Sequence, residues 1–511
     1  MQNEPLGGAI ECILAHGVAS GLVPQLDAGY TRNLILDTLR LETPPPISEE
    51  SLKLSINSSL NCLSDYAVRH EFIADLPSER ERLETRIMGL LTPSPEAFRR
   101  TFENTEKSDG ITKACAYFNS MCIANGYINE QALSRNVRFF APSKYGSLEI
   151  TINLSKPEKD PREIAALLAR KNDSEYPPCM LCPENEGYAG RLGFPARQTL
   201  RTLPVTLCGE PWHFQYSPYR YFPEHCIVFS ERHAPMKIEH MTFRRLLDFL
   251  TRFPHYMIGS NADLPIVGGS VLNHNHFQGG EHVFAMDKSD AIAKATHPMY
   301  PRVRVHALSW AMSTIRLTSE DRESLASLAE LIRAAWSKYS DAVLNIVSST
   351  DGTPHNTITP IARKTNAGFK LDLILRNNRT TKEHPLGIFH PHADLHHIKK
   401  ENIGLIEAMG MFILPGRLLT QLDSIKNHLM SGREFVPHEE SNTMSMHNDW
   451  IAELTKRYGR SQTEDSAEQI VRDALTEKCV RVLEDAAVFK PNENGKRGII
   501  RFLESAGFIV I

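Results

Sequence analysis

Apolar side chains recur at helical spacing through the first 40 residues. Ile10, Ile13, Leu14 and Val18 fall on one face, and Tyr30, Leu34, Ile35 and Leu39 repeat the arrangement. Pro44-Pro45-Pro46 ends this stretch. Helical patterning resumes from about residue 49 to residue 121, broken at Pro93 and Pro95. A mostly helical region over 1–130 is predicted, with packing as its role. The period then drops to two: Val137-Arg138-Phe139-Phe140 and Leu148-Glu149-Ile150-Thr151-Ile152 alternate as strands do. From Cys179 to about Met286 short strands and turn residues surround one helix, 242–253. A second helix opens at Ser319-Glu320-Asp321 and runs towards Tyr339, followed by strands at 355–361 and 369–375. The order helix, loop, strand beginning with His thus occurs twice, at His274 and at His355. That duplication predicts two related α+β halves, 131–300 and 301–432. Residues 433–511 read as a charged helical tail, with helices at 448–457 and 464–485 and a short buried strand at 507–511.

Composition narrows the function. The chain has 511 residues, 41% hydrophobic and 23% charged, which excludes disorder over most of its length. Lys and Arg total 57 against 61 Asp and Glu, so the basic excess of a nucleic-acid binder is missing and no nucleic-acid partner is expected. No run of about 18 apolar residues occurs, and the start, Met1-Gln2-Asn3-Glu4-Pro5, lacks the basic and apolar pattern of a secretory signal. Nine scattered cysteines are no disulfide framework. A reduced, cytoplasmic protein with no membrane partner is the expectation, in which a close cysteine pair reads as metal-binding or redox.

The chemistry concentrates at Asn273-His274-Asn275-His276-Phe277-Gln278-Gly279-Gly280, which follows Asp263-Leu264-Pro265-Ile266-Val267-Gly268-Gly269-Ser270. On a strand starting at His274, the side chains of His274, His276 and Gln278 share one face. Two imidazoles and an amide in a row make a poor core and a good polar site. Residues two apart on a strand stand ~7 Å apart, too far for both histidines to bind one Zn²⁺ comfortably. The pair is therefore expected to divide its labour. Gly268 and Gly269 permit close approach of a ligand's phosphates to the backbone, and with Ser270 and the preceding Asn261 they are candidate substrate contacts. Cys179-Met180-Leu181-Cys182, bounded by Pro177-Pro178 and Pro183, has the half-site spacing of a zinc knuckle. His274, His233 and His225 are candidates to complete it. Arg191, Arg197, Arg201 and Lys400 are candidate phosphate clamps, to be weighed against solvated surface residues.

Residues 263–280 resemble the signature of the class II galactose-1-phosphate uridylyltransferases, of the histidine-triad superfamily. Glu210-Pro211-Trp212, Gln215-Tyr216-Ser217-Pro218-Tyr219, Glu224-His225-Cys226-Ile227, Phe389-His390-Pro391-His392 and His396-His397-Ile398-Lys399-Lys400-Glu401-Asn402-Ile403-Gly404 are similar to the same family. Asn273 departs from the small residue expected there. The resemblance implies an α+β fold with two histidine-triad-like halves on antiparallel sheet, a helical N-terminal region and a helical C-terminal tail. It implies uridylyl transfer from UDP-glucose to galactose 1-phosphate, giving glucose 1-phosphate and UDP-galactose, by ping-pong through a covalent uridylyl-histidine. His276 would be the nucleophile and Gln278 a contact to the phosphoryl group. A structural zinc on Cys179, Cys182, His233 and His274 and a homodimeric assembly are implied as well. The histidines of a second metal site in class I relatives are absent from 371–375. The class I lysine near the uridine resembles Lys400, although Leu405-Ile406 replace the Tyr-Glu expected after Gly404. The competing expectations are a dinucleotide polyphosphate phosphorylase of the same superfamily and a non-catalytic nucleotide-binding sensor. The retained His276 and Gln278 speak against the sensor.

Overall fold

The computed structural model describes residues 5–155, 175–269, 271–439 and 441–511. The chain forms two compact units. One comprises Met1–Leu133, Pro157–Arg220 and Glu224–His233, and the other Ser134–Lys156, Tyr221–Pro223 and Ala234–Ile511. In chain order the strands are β1 (Val137–Ser143), β2 (Gly146–Asn153), β3 (Leu203–Leu207), β4 (Glu210–Tyr216), β5 (Cys226–Ser230), β6 (Met257–Gly259), β7 (His276–Gly280), β8 (Ala291–Thr296), β9 (Arg304–Leu308), β10 (Thr314–Ser319), β11 (Ser349–Thr350), β12 (Thr353–Pro354), β13 (Asn356–Thr365), β14 (Gly368–Asn377), β15 (Met411–Pro415) and β16 (Ile509–Val510). The fold is mixed α+β, with helices at both ends of the chain and antiparallel pairing dominant.

In the first unit the N-terminal helices cover antiparallel β3, β4 and β5. Helix Leu6–Ala19 buries Ile10, Ile13 and Leu14, the face its spacing predicts. Pro93 and Pro95 mark a true boundary. Ser94 caps helix Pro95–Asp109 by accepting from the Ala97 N–H, and Pro95 takes the first turn, where no amide donor is needed. Phe98, Phe102 and Phe118 are fully buried, and Phe118 sits 4.8 Å from the ring of Tyr216 on β4. The Tyr216 hydroxyl donates to the carbonyl of Cys115 at 3.0 Å. Aromatic burial with a satisfied polar end fastens helices to sheet.

In the second unit the strands run β16-β8-β9-β10-β14-β13-β6-β7. Helix His240–Arg252 precedes β6, and helix Arg322–Trp336 precedes the β13–β14 hairpin. β1 and β2 form a separate sheet with β15, which joins β2 in parallel. The tail helices Asn448–Tyr458 and Glu464–Ala486 contribute Trp450, Leu454, Leu475 and Leu483 to a core shared with β2 and β15. Among the described residues no helix is long and apolar enough to cross a membrane.

Two local expectations change. The strand expected from His274 begins at His276, because the N–H of Asn275 is drawn instead to the carbonyl of Ala234 at 2.7 Å. The terminal strand is an edge strand and not a buried one: Ile509 is 59% and Ile511 80% exposed. Only Phe508 is buried, against His297. An apolar run specifies a strand but not its place in a sheet.

Candidate active site

The loop before β7 is built on close backbone approach. A Cβ on Gly268 would stand 2.4 Å from the carbonyl oxygen of Ala262, and one on Gly269 would stand 2.7 Å from Nδ2 of Asn261. Backbone excludes a side chain at Gly268, and at Gly269 one would have to displace the Asn261 amide. Ile266 carries φ of 74°, a costly conformation for a β-branched residue and typical of loops shaped for a task. Asn261 is buried, and its Oδ1 accepts from the N–H of Leu405 at 2.8 Å. The Asp263 carboxylate accepts from the N–H of Ile238 at 2.8 Å and from the hydroxyl of Thr357. Asn261, Gly268 and Gly269 therefore form one pinned turn. Ser270 lies outside the described residues.

Antiparallel pairing of β7 with β6 sets Gln278 opposite Gly259. Strand alternation places His276 and Gln278 on one face. His276 is 5% exposed, and its Nδ1 lies 2.8 Å from the carbonyl oxygen of His274. A carbonyl only accepts, so Nδ1 carries the proton and Nε2 keeps the lone pair. Burial pulls the imidazole down to about 4, with the bond to the His274 carbonyl pulling the other way. The ring is neutral at physiological pH, with a nucleophilic nitrogen and an orienting partner. His274 itself is fully buried.

In the first unit, Cys179, Cys182 and His233 gather their ligand atoms within 4.8 Å of one another, a cluster that could hold a metal ion. The two sulfurs are 3.3 Å apart, and Cys182 Sγ is 3.1 Å from His233 Nδ1. Burial and the adjacent Cys179 push the Cys182 thiol up to about 12. A bound cation reverses that tendency by taking the thiolate. Two sulfurs and an imidazole are the donors that suit zinc.

The candidate cations differ in their surroundings. Arg191 donates to the carbonyl of Tyr176 at 2.7 Å and to the hydroxyl of Tyr188 at 2.9 Å, and stacks over Phe194. Arg197 lies 5.9 Å from the ring centre of Tyr127. Arg201 is buried, with its donors taken by the carbonyls of Pro93, Leu200 and Gln198, which makes it scaffold. Lys400 is exposed, on a cleft of about 590 Å³ it shares with His397, Trp450 and Lys478. Its neighbour Lys399 is buried, in an ion pair with Glu407 at 2.8 Å.

Two residues that shape these loops were not singled out by sequence reasoning. Asn185 is fully buried, and its Nδ2 donates to the carbonyls of Cys179 and Cys182, holding the cysteine turn closed. An amide three residues past the second cysteine, in a proline-bounded turn, is the signal for it. Asp263 stands at the start of the quoted signature, but its two donors, Ile238 and Thr357, come from remote segments.

Comparison with known proteins identifies the family. The family model for the N-terminal domain of galactose-1-phosphate uridyl transferase matches residues 33–235, and that for its C-terminal domain matches 249–450. A galactose-1-phosphate uridylyltransferase of Caldanaerobacter subterraneus subsp. tengcongensis is 48% identical over 509 residues, covering 98% of each chain. Enzymes of the same name from Clostridium perfringens and Bacillus subtilis are 43% and 42% identical, each over 501 residues and 98% of this chain, covering 99% and 97% of their own. No solved structure matches the chain.

Proposed function

The chain belongs to the galactose-1-phosphate uridylyltransferase family and is a nucleotidyltransferase, and from that premise we propose that it moves a uridylyl group from UDP-glucose to galactose 1-phosphate through a covalent bond to His276. The observation that carries this reading is the hydrogen bond from His276 Nδ1 to the His274 carbonyl, which leaves Nε2 unprotonated on a buried, neutral ring. Nε2 attacks the α-phosphorus. The bond from that phosphorus to the bridging oxygen breaks, and glucose 1-phosphate departs with the electron pair. A phosphate oxygen of galactose 1-phosphate then attacks the same phosphorus, and the P–N bond breaks to return the lone pair to His276. Each leaving group is a weak base, so no strong general acid is needed. Gln278, on the same face, donates its amide to a non-bridging oxygen as charge gathers there. Asn261, Gly268 and Gly269 form the turn that lets phosphates approach the main chain, and Ser270, Arg191, Arg197 and Lys400 are assigned as further substrate contacts.

Zinc is assigned to Cys179, Cys182 and His233, with His274 as the fourth ligand. The donor set fits a closed tetrahedral site, and the ion would supply structural cross-linking only. His274 then holds the start of the catalytic strand through its side chain and orients His276 through its carbonyl.

The test is trapping. Incubation with UDP-glucose labelled in the uridylyl group should leave one label on His276, removable by galactose 1-phosphate. His276→Ala should lose transfer by a factor of about 10⁴ or more while still binding UDP-glucose, since the imidazole makes the bond and is no main source of affinity. Near-normal turnover in that variant would end the assignment.

A further inference from the structure

The turn of Asn261 and Gly268 is held by a short strap, residues 402–405, that leads into helix Leu405–Ala408. Each residue of the strap makes a contact. Asn402 Nδ2 lies 3.5 Å from the carbonyl oxygen of Gly268. The carbonyl of Ile403 accepts from Arg376 Nη2 at 2.9 Å. The N–H of Gly404 donates to Glu407 Oε2 at 3.1 Å, and that of Leu405 to Asn261 Oδ1 at 2.8 Å. Two of these contacts reach the turn, and two reach charged side chains. We propose that Glu407 is a positioning residue for uridylyl transfer, which sets the turn of Asn261 and Gly268 through this strap. The inference rests on the reading of that turn as the place where phosphates meet the main chain.

Glu407 stands between two buried cations. Its Oε1 takes the ammonium of Lys399 at 2.8 Å, while Oε2 takes the Gly404 N–H. Lys399 is 6% exposed and Arg376 1%. Burial lowers the Arg376 guanidinium to about 10, and the charge of Glu407 opposes that shift. The other carboxylate near Lys399, Glu401 at 3.7 Å, is 61% exposed and screened by water. A buried charge without its partner is costly, so the Glu407 carboxylate is fixed in place with both oxygens engaged.

That fixed carboxylate meets the strap where the turn does. A Cβ on Gly404 would stand 3.3 Å from Glu407 Oε2 and 3.4 Å from Asn261 Oδ1, so carboxylate and amide grip one point of the chain. The strap also packs beside the catalytic strand. A Cβ on Gly259 would stand 2.9 Å from Leu405 Cδ1, and Gly259 is the register partner of Gln278. A shift of Leu405 therefore reaches Asn261 through its N–H and the neighbour of Gln278 through its side chain. In-line transfer is sensitive on this scale, where a misplacement of about 1 Å costs a factor of about 100. Glu407 also caps helix Leu405–Ala408 through the same bond. A cap alone would act on stability and leave transfer by the folded protein as it was.

The test uses the full chain in a Lys399→Met background, which removes the buried ammonium. There Glu407→Gln keeps an acceptor for the Gly404 N–H, and Glu407→Leu does not. With UDP-glucose and galactose 1-phosphate saturating, the first should turn over within about threefold of Lys399→Met alone. The second should lose kcat about tenfold or more, with little change in KM. Glu407→Asp in the otherwise native chain keeps the charge and shortens the reach. It should lose kcat likewise, and it decides the matter if the Glu407→Leu protein does not fold. Adding Asn261→Ala cuts the link from strap to turn, so the gap between the two Glu407 variants should close to about twofold. The inference is overturned if Glu407→Leu turns over as Glu407→Gln does, if Glu407→Asp turns over as the parent does, if the loss falls on KM or on Tm alone, or if the gap persists with Asn261→Ala. The single variant Asn261→Ala separates this inference from the reading beneath it. Unchanged turnover there overturns both, whereas slowed turnover there with no effect at Glu407 overturns this inference alone.

Discussion

Gly268 shows how much one absent methyl group can decide. An alanine Cβ there meets two main-chain carbonyls, those of Ala262 and Leu264, and backbone cannot rotate away as a side chain can. Gly268→Ala should cost about 1–3 kcal/mol, read by urea unfolding, and should impair transfer beyond the loss of folded protein. An unchanged unfolding midpoint would show that the turn is looser than its contacts indicate. The glycine pair and His-x-His-x-Gln were legible in the sequence because their chemistry is a matter of spacing. Asn185 was not, because its role depends on which carbonyls the cysteine turn aims at it. Arg201 shows the opposite failure: a guanidinium that reads as a clamp spends its donors on the backbone.

Elements were legible where local chemistry sets their ends. Asp321, flagged as opening a helix, accepts from the N–H groups of Glu323 and Ser324 at the start of helix Arg322–Trp336. Asp321→Ala should destabilise the second unit by about 1 kcal/mol, and Asp321→Ser should restore most of it. Equal losses in thermal unfolding of both variants would show that the cap is not the cause. Elements were illegible where a distant segment decides. β7 starts two residues later than alternation indicates because Ala234 captures Asn275. β16 reads as buried from its composition, yet it borders the sheet beside β8 and leaves Ile509 and Ile511 to solvent.

Across the whole molecule the mixed α+β class and its terminal helices were readable from periodicity. The interleaving of the two units was not: β1 and β2 belong with the second unit because β2 pairs with β15, late in the chain. Stability should also carry a pH signature from the second unit. His397 and His447 lie with their Nδ1 atoms 2.8 Å apart, buried against Trp450. Burial above all lowers them to about 3 and about 4. Unfolded rings take up protons near pH 6.5 and the folded pair does not, so stability is full above that pH and falls as pH drops towards 4. Urea midpoints that stay flat from pH 6.5 to 5 would contradict a neutral pair. Metal removal is the second global test. A chelator strong enough to strip zinc should lower Tm in the parent and leave a Cys182→Ser variant, already without its site, unaffected. One consequence of the His276 bond remains. The acceptor that fixes its tautomer is a peptide carbonyl, and no codon change at position 274 can delete a peptide carbonyl. Random mutagenesis can replace His276 but can hardly retune its proton, because that preference is inherited with the path of the main chain. Only a synthetic backbone substitution, or a rearranged loop, would give selection access to it.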